Sequence, residues 1–216
     1  MDAELKKQIL KTGTSLVGVV CKDGVVLAAD RKMTLGGHIV AHKNFPKIYR
    51  VNDYLLVSIA GQVSDAQMAL KVIAAQLKLK ELKSKTRPTI KEAAHFIASL
   101  YFQIRNPSMI PSIVASLVAG VNSDGTAELY NISPDGAIKN IENYDADGSG
   151  MMFIWGLLER QYKENMTLQQ GVDLVVEAIK SSSERDAASG SGIDVYTLGN
   201  TGINHVIDKK ITPNYN

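Results

Sequence analysis

The chain has 216 residues, 45% hydrophobic and 21% charged, and its mean hydropathy is −0.04. That balance excludes a disordered polyelectrolyte and fits one globular domain. The formal net charge of +2 is too small to predict nucleic acid as a partner, and the single cysteine, Cys21, excludes an internal disulfide and a cysteine-rich metal site.

Residues 1–13 lack the long apolar core of a secretory signal, no apolar run is long enough to predict a membrane span, and the reducing cytoplasm is the expected compartment. Residues 14–21 read as a strand, Lys22-Asp23-Gly24 as a turn, and residues 25–30 as a returning strand. Residues 47–51 alternate, Asn52-Asp53 turns, and residues 54–60 form a nearly continuous apolar strand that Gly61 ends. Ser64-Asp65-Ala66-Gln67 has capping-box spacing and predicts the start of a long helix, with Met68, Val72, Ile73, Leu77 and Leu79 among its apolar positions. Thr89-Ile90-Lys91-Glu92 predicts a second helix running towards Arg105, before Pro107. The basic cluster Lys78, Lys80, Lys83, Lys85 and Arg87 reads as a solvated helix end.

Strands are predicted over residues 113–121 and 127–132, with turns at 122–125 and 134–136. Helices follow over about 150–163 and, after a cap at Thr167-Leu168-Gln169-Gln170, over about 167–184. Residues 193–198 and 204–207 close the chain as strands. Runs of strands separated by helix pairs are unlike the βαβ alternation of a parallel sheet. The pattern predicts one α+β domain, with two antiparallel sheets stacked face to face and helix pairs outside them.

The chemistry centres on Gly13-Thr14, directly before the first strand. A threonine hydroxyl is a weak nucleophile until a base takes its proton. If the chain is cut after Gly13, Thr14 acquires an α-amine beside its own hydroxyl, and such an amine titrates near 7.7–8.0. One residue then carries nucleophile and base. Glycine at 13 permits the tight backbone that an attack on its own carbonyl requires. Other chemistries lack their motifs. His38, His42, His95 and His205 have no metal-ligand spacing, and neither Gly148-Ser149-Gly150 nor Gly190-Ser191-Gly192 is a Gly-x-Ser-x-Gly elbow. No phosphate loop or dinucleotide fingerprint is present, so no cofactor and no metal are expected. Phe153, Trp155 and Leu157-Leu158 read as core or as a subunit contact.

Residues 14–18 followed by Lys22-Asp23-Gly24 and residues 25–31 resemble the opening of proteasome β subunits, especially of the archaeal type. The resemblance continues through Ser58-Ile59-Ala60-Gly61, Ser64-Asp65-Ala66-Gln67, Gly148-Ser149-Gly150, Gly156-Leu157-Leu158-Glu159, residues 171–175 and Arg185-Asp186-Ala187-Ala188-Ser189-Gly190. It implies an N-terminal-nucleophile hydrolase, a four-layer αββα sandwich with threonine endopeptidase activity. Residues 1–13 are then a propeptide, removed by the chain's own cleavage between Gly13 and Thr14, and residues 14–216 the single working domain.

The resemblance implies roles by position. Thr14 matches the nucleophile, Asp30 the carboxylate that pairs with an essential lysine, and Lys47 that lysine. The loop Leu35-Gly36-Gly37-His38 is about one residue longer than the usual pattern, which leaves Lys43 as the alternative; the following Ile48-Tyr49 favours Lys47. Ser149, Asp186 and Ser189 match the residues around the threonine amine, and Gly61 the backbone donor to the oxyanion. Met33, Phe45, Ile59, Val63 and, at its base, Gln67 match the primary side-chain pocket, which favours a hydrophobic residue before the cut. Thr34 matches the residue whose backbone pairs with an extended substrate. Expected partners are other β subunits in a heptameric ring, α-subunit rings, a regulatory ATPase acting through them, and unfolded polypeptides. Two other readings are an inactive ring subunit of the same fold and a bacterial-type two-ring threonine protease.

Overall fold

The structure, a computed structural model, describes residues 13–105 and 114–211. Residues 1–12 of the expected propeptide, Pro107 and the predicted strand start at Ile113 lie outside the described residues. The first hairpin is β1 (Leu16–Cys21) and β2 (Gly24–Asp30). Next come a small two-stranded sheet of β3 (Met33–Leu35) and β4 (Ile39–His42), then β5 (Ile48–Asn52), β6 (Leu55–Ser58) and β7 (Ala60–Gly61). Helices α1 (Val63–Ser84) and α2 (Ile90–Arg105) lead to β8 (Val114–Val121), β9 (Ala127–Ile132), β10 (Ile138–Ile141) and β11 (Tyr144–Asp147). A second helix pair, α3 (Met151–Gln161) and α4 (Leu168–Arg185), precedes β12 (Gly192–Gly199) and β13 (Gly202–Lys210).

The strands make a five-stranded sheet in the order β11-β1-β2-β12-β13 and a six-stranded sheet in the order β10-β9-β8-β6-β5, with β7 joined to β8. All of these pairings are antiparallel. The period of two along each strand divides the apolar side chains between layers. Leu16, Val25, Leu27 and Ala29 meet Leu56, Leu117, Ala119 and Leu129 between the two sheets. Val17, Val19, Val26 and Ala28 face the other way, onto Ile154 and Leu158 of α3 and Val175 and Ala178 of α4. Leu55, Val57, Val118 and Tyr130 do the same on the second sheet, against Ile73 of α1 and Ile97 of α2. Three apolar layers therefore hold four structural layers together, and the αββα sandwich is the observed fold.

Two helix starts follow the capping chemistry read from the sequence. At α2, Glu92 N–H donates to Thr89 Oγ1 at 3.2 Å and Thr89 N–H to Glu92 Oε2 at 2.9 Å. At α4, Thr167 and Gln170 form the same reciprocal pair. The expected cap at Ser64 is overturned, because α1 begins at Val63 with Gln62 as an extended N-cap. Gly61 has φ +128°, a conformation open to glycine, and the chain enters the helix two residues later. Ser64 lies within the first turn, where its hydroxyl bonds the side chains of Gln62 and Asp65. The buried stripe of α1 is Ala66, Ala69, Ile73 and Leu77, while Met68 and Leu79, expected on the apolar face, are exposed. In the basic cluster at the end of α1, Lys78 pairs with Glu81 and Lys80 with Glu92.

The single strand expected over residues 54–60 is divided at Ile59 into β6 and β7, and the Ile59 N–H donates to Lys47 O at 2.9 Å, one step beyond the Ile48–Ser58 pair of β5 and β6. That register brings Ile59 beside Lys47, and Gly61 lines the same cleft. Leu117 lies between the sheets with no solvent exposure. Leu117→Ala is expected to lower the unfolding free energy by about 2–5 kcal/mol, the range for removing a large buried side chain, as read by denaturant titration.

Candidate active site

Pairing of β1 with β2 places the residues before β1 against the end of β2. Asp30 N–H donates to Ser15 O at 3.1 Å, and Ser15 N–H donates to Asp30 Oδ1 at 2.8 Å. Asp30 has no solvent exposure and accepts further bonds from Lys32 N at 3.0 Å, Gly190 N at 2.9 Å and Lys47 Nζ at 2.6 Å. Carboxylate charge that has lost water needs such a set of donors. Lys47, one residue before β5, is only 4% exposed. Burial pulls its ammonium pKa below the ordinary lysine value, and the charge and hydrogen bond of Asp30 pull it partly back. Lys43, the alternative in the sequence, is exposed on the preceding loop.

The cation has a second contact, donating to Gly13 O at 2.9 Å. Thr14 Oγ1 donates to the same oxygen at 2.6 Å, and Thr14 is itself 3% exposed. The carbonyl between Gly13 and Thr14 is therefore gripped by the lysine and touched by the threonine hydroxyl. On its other side Gly13 N–H donates to Thr34 Oγ1 at 3.0 Å. No side chain fits at position 13. A Cβ there would lie 1.9 Å from Ala188 Cβ and 2.4 Å from Ala188 O.

A separate network reaches the nitrogen of the same peptide bond. Thr14 N–H donates to Ser149 Oγ at 3.1 Å, and Ser149 Oγ donates to Asp186 Oδ2 at 2.6 Å. Ser189 Oγ donates to that carboxylate oxygen at 2.6 Å and accepts from Ser15 Oγ at 2.7 Å. Ser149 stands just before α3, and Asp186 is the residue that ends α4, so the helix pair aims both at Thr14. Gly150 N–H fixes Thr14 O at 3.1 Å.

Beside Thr14 and Lys47 a cleft is lined by Met33, Phe45, Tyr49, Ile59, Gly61, Val63 and Ala66. Four of the five pocket positions read from the sequence meet there. Gln67 does not line it; it is exposed on α1, and the neighbouring Ala66 faces the cleft. Thr34 is buried in β3. Sequence reasoning missed Ser15, Tyr49 and the backbone donors of Lys32 and Gly190. Ser15 adjoins Thr14 and could have been suspected on that ground, but a backbone N–H leaves no mark in residue identity. No group of three or more His, Cys, Asp and Glu side chains is placed to hold a metal among the described residues.

The arrangement sets a hydroxyl and a cation at one carbonyl oxygen and a hydrogen-bonded serine at the adjoining nitrogen. These are the parts needed to move an acyl group from nitrogen to oxygen. Asp30→Asn removes the charge that raises the Lys47 pKa and leaves the burial that lowers it. The Lys47 titration midpoint is expected to move further down in that variant, as followed by the 13Cε chemical shift against pH.

A family model described as proteasome subunit matches residues 10–198. Among curated proteins, the proteasome subunit beta of Archaeoglobus profundus is 38% identical over 203 residues, covering 94% of this chain and 91% of the relative. That of Thermoplasma acidophilum is 37% identical over 192 residues, with 88% and 87% covered, and that of Methanococcus maripaludis strain C7 is 32% identical over 210 residues, with 97% and 94% covered. With the fold and the Thr14 surroundings already described, this similarity along nearly the whole chain makes the protein a member of the proteasome subunit family, of the β type.

Proposed function

We propose that this chain is a catalytic β subunit of a proteasome core, a threonine peptidase that first cuts itself between Gly13 and Thr14. The convergence of Thr14 Oγ1 and Lys47 Nζ on Gly13 O carries this reading. Thr14 Oγ1 attacks the Gly13 carbonyl carbon. Negative charge gathers on Gly13 O, where the Lys47 ammonium already sits, and Asp30 holds that ammonium in place. The bond from the carbonyl carbon to Thr14 N then breaks, and the hydroxyl proton ends on that nitrogen, beside Ser149 and Asp186. The product is an ester on Thr14 Oγ1. Water cleaves it and leaves Gly13 as a carboxylate and Thr14 with a free amine and a free hydroxyl.

Later substrates meet the same nucleophile, with the amine as base. A preorganised donor at a developing oxyanion is worth roughly 3 kcal/mol, so the Lys47 contact is a large part of the chemistry. Gly61, which lines the cleft, supplies a second donor through its backbone in this reading. Met33, Phe45, Ile59 and Val63 receive the side chain before the cut, and Thr34 pairs through its backbone with an extended peptide. Residues 1–13 form the propeptide and residues 14–216 the working domain. A heptameric β ring between α rings, fed with unfolded polypeptide by an ATPase in the cytoplasm, completes the reading, supported by the residue patterns shared with the archaeal type.

Intact mass measurement of the assembled particle is expected to find Thr14 as the first residue in the wild type and the full extension in Thr14→Ala. An assembled wild type that cleaves peptides while keeping Met1 contradicts the proposal. Peptides with leucine or phenylalanine before the cut are expected to be cleaved at least about tenfold faster than ones with lysine or glutamate, because an apolar pocket leaves a charge unpaired. Fluorogenic peptide series measure this ratio as kcat/KM.

A further inference from the structure

The side chain of Thr34 has a contact that substrate pairing through the backbone does not call for. Its hydroxyl oxygen accepts from Gly13 N at 3.0 Å, in a bond buried on both sides. Thr34 is 1% exposed in β3, and its hydroxyl lies opposite the Lys47 grip on the same residue. Gly13 is the most freely rotating residue type, and attack on its carbonyl requires one setting of the backbone on either side of its Cα. Lys47 and Thr14 fix the carbonyl end, Ala188 closes the space where a side chain would stand, and Thr34 fixes the amide end. A threonine suits this task because its branched Cβ restricts χ1 and so holds the hydroxyl in place.

We infer that the Thr34 hydroxyl is a positioning residue for self-cleavage, holding Gly13 so that its carbonyl stays under Thr14 Oγ1. The inference rests on the self-cleavage reading above. The acceptor is used by the chain's own residue 13 in the uncut precursor, and its loss therefore weighs more on processing than on later turnover.

The experiment follows loss of the extension by intact mass during assembly of the full-length chain, for wild type, Thr34→Val and Thr34→Ser. Thr34→Val keeps the shape and removes the acceptor; Thr34→Ser keeps the acceptor. Processing of Thr34→Val is expected to be about tenfold slower, the order of one hydrogen bond, with Thr34→Ser close to wild type. Peptide turnover, normalised to the amount of freed Thr14, is expected to fall by less than processing does. Wild-type processing speed in Thr34→Val, equal slowing in Thr34→Ser, or equal losses in processing and turnover each overturn the inference. If Thr34→Val does not assemble, Thr34→Ala against Thr34→Ser makes the same comparison. A wild type that keeps its extension overturns the self-cleavage reading instead, so the two failures are distinct.

Discussion

The buried pair of Asp30 and Lys47 is the constraint on which the site depends. Neither side chain is reached by solvent, and each is held by the other and by the groups around it. Asp30 ties together four separate stretches of chain: Ser15 before β1, Lys32 after β2, Lys47 before β5 and Gly190 before β12. Its carboxylate thus fixes Lys47 relative to the stretch that carries Thr14. The fold serves this arrangement by stacking two sheets whose neighbouring ends deliver these stretches to one point.

The Gly13–Thr14 peptide bond is held from three directions. Its oxygen lies against Lys47 and Thr14, its nitrogen against Ser149, and the residue before it against Ala188 and Thr34. These groups are in place before any external substrate arrives. Preorganisation of this kind lowers the barrier without reorganisation during the reaction. In the proposed self-cleavage the hydroxyl and the carbonyl also belong to one chain, so their encounter carries no translational cost.

Much of this could be read from residues alone. The hairpin of β1 and β2, the helix pairs, and the caps at Thr89 and Thr167 follow from apolar period and side-chain chemistry. The edge strands β10 and β11 did not show themselves. Each is short, and each carries polar residues where a strand at a sheet's margin meets solvent or another layer. The two-stranded sheet of β3 and β4 was hidden for a similar reason, since much of it is exposed. In the site, Thr14, Asp30, Lys47, Ser149, Asp186 and Ser189 were named by pattern. Ile48-Tyr49 favours Lys47 over Lys43 in the sequence, and the fold buries Lys47 against Asp30 while Lys43 is exposed. The backbone donors of Lys32 and Gly190, and the exchange of Gln67 for Ala66 at the cleft, arise from geometry that residue identity does not encode.

The two networks around Thr14 differ in their access to solvent. Asp30 and Lys47 are sealed in, while Ser149 is exposed and Asp186 partly so. The peptide bond therefore has a dry side at its oxygen and a wetter side at its nitrogen. In the proposed reaction charge builds on the dry side, where the lysine is screened less than at the surface. In the proposed self-cleavage, water for the second step has its open approach on the wet side, where the Thr14 nitrogen lies against the exposed Ser149. In the proposed reaction, one boundary between protein and solvent thus puts the electrostatic work and the hydrolytic work at opposite edges of a single amide group.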